Sequence, residues 1–215
     1  MAELLREIER PLQATVTLVK RVPPQSGLGG GSGDAAATLH AANRAFDLGV
    51  SFARLREVAA RLGSDIPALL YPGPTRCRGR GEVVTPLCGL PSLHVVIARP
   101  HAGAATPEVY RRCQPSGRPL EVELLASWRA GNIASLRQWM HNDLTQPAIA
   151  ACPAIAESLA TADKIGLKGA AMTGSGSAIF GLVASAAEAR RAAARLRARG
   201  FPFAIATRTR PALKR

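Results

Sequence analysis

Aromatic side chains are scarce in this sequence, 4% of 215 residues, although 47% of positions are hydrophobic. The interior must therefore be filled with Ala, Leu, Val and Ile rather than rings, as in a soluble α/β or α+β chain. Long apolar runs are also missing. None approaches the roughly 20 residues that cross a bilayer, and the opening MAELLREIERPL alternates acidic and basic residues where a signal peptide needs an apolar centre. The expected location is cytoplasmic, with no membrane partner. The four cysteines, Cys77, Cys88, Cys113 and Cys152, form no C-x-x-C pair, which argues against a zinc site or a disulfide scaffold. Acidic residues are outnumbered, 15 against 28 Lys and Arg, for a net charge of +13. That sign suits nucleic acid, a membrane surface or an anionic small substrate. Much of the excess sits in ARRAAARLRARG and TRTRPALKR, as the solvated face of a helix and a tail. Without aromatic interleaving or a docking motif, a nucleic-acid partner is not expected. Oligomeric state has no signature in the sequence.

What the sequence has in plenty is glycine in one place. Residues 23–37 read PPQSGLGGGSGDAAA. The preceding QATVTLVKRV, Gln13 to Val22, alternates like a half-buried strand. The following residues, Asp34 to Leu48, read as an alanine-rich helix ended by Gly49. Gly27, Gly29, Gly30 and Gly31 supply backbone N–H groups without Cβ atoms in the way, and the helix start adds its partial positive charge. This is a phosphate site that needs no basic side chain, and the Ser32 hydroxyl can join it on a phosphate oxygen or a bound Mg²⁺ ion. No Lys-Ser or Lys-Thr pair follows the glycines, so the run is not a Walker loop. It also lacks the acidic partner of the dinucleotide fingerprint. A flexible linker would explain the glycines but not their place between a strand and a helix.

Further along, Ser51 caps a helix from Phe52 to Leu62 that Gly63 closes. Pro67 in SDIPALL places Ser64 or Asp65 at a helix start. Residues 71–86 read as turns and short strands, and CGLP at 88–91 as a boundary, giving expected domains 1–90 and 91–215. The second part reads as strand (Ser92 to Ala98), helices (107–112, 121–130, 133–140, 153–163), strand (169–173), a glycine-serine turn (Gly174, Ser175, Gly176, Ser177), strand (AIFGLVA), helix (186–198) and strand (PFAIATRT). That order is an α+β sandwich.

The run P-x-x-x-G-L-G-x-G-S before an alanine-rich helix resembles the hallmark of the GHMP small-molecule kinases. KRVPPQSGLGGGSGDAAATL is similar to the triple-glycine version in one branch of that family. LGSDIPALL, GRGEVVTPL, HNDLTQPA and MTGSGSAIFGL resemble further segments of the branch in the same order. The resemblance runs from about Thr15 almost to the C-terminus. It implies a two-domain fold, an N-terminal domain like ribosomal protein S5 domain 2 and a ferredoxin-like C-terminal α/β sandwich. It also implies ATP with Mg²⁺, and a small-molecule alcohol, a cytidylyl methylerythritol diphosphate, as substrate. By the same resemblance, Pro23, Pro24, Gln25, Ser26, Gly27, Leu28, Gly29, Gly30, Gly31, Ser32 and Gly33 would hold ATP, with Ser32 a Mg²⁺ contact. Asp65 would be the catalytic carboxylate facing the hydroxyl. A carboxylate there can accept the hydroxyl proton as the phosphoryl group arrives, and it can equally be a helix cap. Gly174, Ser175 and Gly176 would lie near the first loop, or serve simply as a tight turn. Family members open with a strand A-K-x-N-L whose lysine partners the aspartate. No segment here matches it, so the N-terminal domain is expected to be incomplete. Lys20 lies on the segment entering the loop and is no substitute. Gly33 stands where the family usually has a second serine. Two rival readings remain at this point: a GHMP kinase for another alcohol, and a non-catalytic nucleotide-binding or nucleic-acid-associated remnant.

Overall fold

The computed structural model describes residues 13–103, 105–117 and 121–211. The opening MAELLREIERPL, which reads from sequence as a helix ahead of the glycine-loop segment, lies outside them. Two compact units emerge. The first holds residues 13–24 and Gly29–Cys88; the second holds Gln25–Leu28 and the chain from Gly89 onward. Nothing in the sequence hints that residues 25–28 go with the second unit.

The first unit is built on three helices, α1 (Gly30–Ala45), α2 (Phe52–Leu62) and α3 (Ile66–Leu69). Ala36, Leu39 and Ala42 recur at helical spacing on one face of α1 and meet Leu55, Val58 and Ala59 of α2 and Ile66 of α3 in one buried cluster. Ser51 caps α2, its side chain accepting from the Arg54 amide, and Gly63 follows the last turn. A hairpin of β1 (Thr75–Arg78) and β2 (Val83–Pro86) completes the described part, with Thr75 paired to Pro86 and Arg78 to Val83.

Two expectations need correction. Gln13 to Val22 forms no strand. Its alternation is real, but no described residue pairs with it, and Val16, Leu18 and Val19 are exposed; a strand without a partner has no ladder to hold it. The first helix begins at Gly30 rather than Asp34, so the last glycines of the run form its first turn.

The second unit is a four-stranded antiparallel sheet in the order β4-β5-β3-β6 (β3, His94–Arg99; β4, Ala171–Met172; β5, Ile179–Val183; β6, Phe203–Arg208). That order, with a helix between β3 and β4 and another between β5 and β6, is the ferredoxin-like arrangement. Alternation along β3 decides the two faces. Val96 and Ala98 turn toward α8 (Ala154–Lys164) and α9 (Ala186–Arg197), packing with Ala162, Ile179, Ala193 and Leu196. Val95 and Ile97 turn the other way, with Leu136 and Leu182, toward α5 (Glu121–Arg129) and α6 (Ile133–Trp139). Between β3 and β4 also lie α4 (Thr106–Arg111) and α7 (Thr145–Ala151). The latter, within HNDLTQPA, is not anticipated from sequence because of Pro147. Proline fits in a first turn, where its missing N–H has no helical acceptor to lose. Among the described residues, no helix is long and apolar enough to cross a membrane.

Candidate functional site

In the first unit, the start of α1 has the properties of an anion site. Its N-cap is Gly29, in the left-handed region at φ 63°, with no side-chain cap, and the first turn holds no acidic residue. The first hydrogen bond of the turn runs from the Gly33 amide to the Gly29 carbonyl, 2.8 Å. The amides of Gly30, Gly31 and Ser32 therefore have no intrahelical acceptor and carry the positive end of the helix dipole. A methyl at Gly31 or at Gly33 would meet nothing within 4 Å. The fold thus has no steric need for glycine at either position, and each costs the helix about 1 kcal/mol relative to Ala. Three amides without an intrahelical acceptor at an open helix start fit the approach of a phosphate. At Gly30, by contrast, a methyl would press on Val22 at 3.0 Å.

Asp65 is the N-cap residue of α3, but its side chain makes no capping bond. The carboxylate has no hydrogen-bond partner among the described residues, so the cap reading does not account for it. Pro67 in the first turn sets the direction of this short helix. Leu69 of the same helix lies 3.7 Å from where a Cβ at Gly29 would be, so the element carrying Asp65 packs against the start of α1. Lys20 forms an ion pair with Asp34 of α1, a pairing the sequence reading missed. It neutralises the one carboxylate in that part of the helix.

In the second unit, the structure brings Gln25–Leu28 and the second glycine turn together. The Ala178 amide donates to the Ser26 carbonyl, and the Thr173 hydroxyl donates to the Gly27 carbonyl, both at 3.0 Å. A methyl at Gly27 would lie 2.1 Å from the Thr173 carbonyl oxygen, and one at Gly174 would lie 2.7 Å from the Gly27 carbonyl oxygen. Gly27 and Gly174 both have positive φ, so these glycines are required twice over, by backbone and by space. Gln25, at φ 51°, is a left-handed non-glycine residue in the same segment. Such strain tends to collect at functional loops. The turn is anchored from below: Ser175 shares a hydrogen bond with Thr106, and Ser177, fully buried, donates to the Ala102 carbonyl. Sequence reading singled out the turn's glycines but not Thr173 or Thr106; a hydroxyl flanking a glycine turn was the available signal.

Beside this turn stands the segment 141–143. His141 and Asp143 pair at 2.5 Å, and the Ser116 amide donates to Asp143 at 3.0 Å. The Ser116 amide, and then His141, hold the Asp143 carboxyl below its ordinary value of 3.8. A depressed carboxyl favours the folded state above its unfolded pKa and loses that contribution as pH falls through the folded value. Asp143→Asn should therefore lower the melting temperature at neutral pH. The gap to the unsubstituted chain should close as pH falls below about 3.8, followed by circular dichroism.

The family is shown by comparison with known proteins. The pattern of the GHMP kinases N terminal domain matches residues 1–73, and that of the GHMP kinases C terminal domain matches residues 122–201. The chain belongs to the GHMP kinase family. Within it, a 4-diphosphocytidyl-2-C-methyl-D-erythritol kinase of Pelotomaculum thermopropionicum is 40% identical over 86% of this chain and 65% of its own length. Proteins of the same name in Paracoccus denitrificans and Moorella thermoacetica are 42% and 38% identical, over 64% and 70% of their own lengths. The chain thus spans just under two thirds of the first two of these relatives. A crystal structure of 4-(cytidine 5'-diphospho)-2C-methyl-D-erythritol kinase matches with a TM-score of 0.75 at 37% identity, covering 88% of this chain and 68% of that one. A homoserine kinase from Cytophaga hutchinsonii, at 17% identity and TM-score 0.71, shares the fold.

Proposed function

We propose that the chain transfers the γ-phosphate of ATP to the 2-hydroxyl of 4-diphosphocytidyl-2-C-methyl-D-erythritol, in non-mevalonate isoprenoid biosynthesis. The observation that carries the ATP reading is the α1 start: a glycine-rich first turn, with no steric need for glycine at 31 or 33, whose first three amides the helix leaves unpaired. The choice of alcohol rests on the relatives, all carrying that kinase name at 38–42% identity.

In this reading Pro23 to Gly33 wraps the triphosphate, and the Gly30, Gly31 and Ser32 amides offset charge that spreads over the phosphoryl oxygens as the group leaves ADP. Asp65 accepts the proton from the attacking hydroxyl as the new oxygen–phosphorus bond forms and the bond to the β-phosphate oxygen breaks. Among the described residues no partner takes either carboxylate oxygen. Among the described residues no three carboxylate, His or Cys side chains converge as a metal cage, so Mg²⁺ would come with the nucleotide, neutralising phosphate charge, with the Ser32 hydroxyl as its contact. We place the domain boundary near residue 90, with 91–215 as the C-terminal domain, although Gln25–Leu28 of the loop group with the second unit.

The test is a product assay on the purified chain with ATP, Mg²⁺ and, in parallel, the cytidylyl alcohol, homoserine and mevalonate, followed by ³¹P NMR. A new phosphomonoester with the cytidylyl alcohol alone is expected. Turnover of homoserine or mevalonate without it would overturn the substrate assignment.

A further inference from the structure

Asn142 holds the Gly174 end of the second glycine turn, as Ser175 and Ser177 hold the rest of it. Its side-chain Nδ2 donates to two backbone carbonyls on either side of Thr173, that of Met172 at 3.0 Å and that of Gly174 at 2.8 Å. Its Oδ1 accepts from the Leu144 amide at 3.0 Å, just ahead of α7. Three partners of fixed polarity leave one orientation of the amide. Between the two clamped carbonyls, Thr173 donates its hydroxyl to Gly27, and the other end of the turn, at Ala178, donates its amide to Ser26. The turn and the segment 25–28 are therefore one hydrogen-bonded body, and Asn142 is its side-chain fastening to the start of α7. The neighbouring His141–Asp143 pair and its bond from Ser116 hold the segment that presents Asn142.

A clamp of this kind is needed because a Gly-Ser-Gly turn has little rigidity of its own. Met172 is buried on the α7 and α8 side, which fixes one flank of the turn. The Gly174 flank has no side chain to pack, and Asn142 supplies its hold. We propose that Asn142 is a positioning residue: by clamping the Met172 and Gly174 carbonyls it sets the place of Thr173 and so of the Gly27 end of the nucleotide loop. The consequence for ATP rests on the function proposed above.

The experiment separates clamp from cap. Asn142→Asp keeps an acceptor for the Leu144 amide but sets carboxylate oxygens against two carbonyls, whereas Asn142→Ala removes both roles. Hydrogen–deuterium exchange is read at the amides of Gly176 and Ala178, and the KM for ATP is read against kcat. Faster exchange at both amides in Asn142→Asp, with a rise in the KM for ATP of about tenfold and a kcat changed far less, is expected. Exchange and KM unchanged in Asn142→Asp, with only Asn142→Ala affected, would overturn the proposal and leave a cap. Should both variants unfold, the unsubstituted chain still decides: the Asn142 side-chain amide protons must exchange slowly, and free exchange would contradict the clamp. If the unsubstituted chain binds no ATP, the proposed function fails while the exchange data still judge Asn142.

Discussion

Replacing Asp65 with Asn is expected to lower kcat by a factor of about 10²–10⁴, the usual worth of a positioned proton acceptor, with little change in the KM for ATP. The reasoning starts from what the residue does not do. Asp65 stands at the N-cap of α3, yet its carboxylate bonds to none of the amides there. A substitution that keeps shape and removes charge therefore breaks no hydrogen bond, and its effect on stability should stay within about 0.5 kcal/mol. A kinetic loss with an unchanged melting temperature would mark the carboxylate as chemical. An unchanged rate would return it to the helix start and leave the proton transfer without an acceptor. Steady-state kinetics and thermal melting on the same preparation read both.

Replacing glycines along the nucleotide loop should give two opposite outcomes. Gly27→Ala is expected to be the severe one. Its φ of 71° costs an L-residue about 1–2 kcal/mol, and the new methyl would sit 2.1 Å from the Thr173 carbonyl oxygen, backbone that cannot swing aside. Overpacking adds about 1–3 kcal/mol. The bond from Thr173 to Gly27 would part, and ATP binding should weaken roughly a hundredfold, about 2.7 kcal/mol. Gly31→Ala meets nothing within 4 Å and adds a better helix former, so the melting temperature should rise. ATP should nevertheless bind more weakly, because the methyl stands over amides meant for phosphate. Calorimetric titration with ATP beside thermal melting checks the pair. A Gly31→Ala chain that is both more stable and equally tight for ATP would show that the glycine serves no ligand.

The contrast between these glycines also marks how far the sequence could be read. The run itself, the capped helix Phe52–Leu62 and the position of Asp65 ahead of Pro67 were legible because each depends on local rules: conformational freedom, a side-chain cap, a fixed φ. The strand at Ser92 to Ala98 was legible as a buried apolar run, but its two faces were not, since Val95 and Ile97 are as apolar as Val96 and Ala98. The start of α1 at Gly30 was not, because propensity counts glycine as a helix breaker, whereas left-handed Gly29 and the Gly33 bond to its carbonyl begin the helix there. Alternation misled at Gln13 to Val22, since a pattern states which faces differ but not that a partner strand is present. The bonds made by Asn142, Thr173 and Lys20 escaped notice for a shared reason. Their roles depend on bonds to residues 30, 146 and 14 positions away, and no local rule encodes such partners.

If the glycine run receives the triphosphate of ATP, amide chemical shifts recorded as ATP is added will report it. Binding as described would move the amides of Gly30, Gly31 and Ser32 first. Saturable ATP binding that leaves Gly30 to Ser32 unshifted would contradict it.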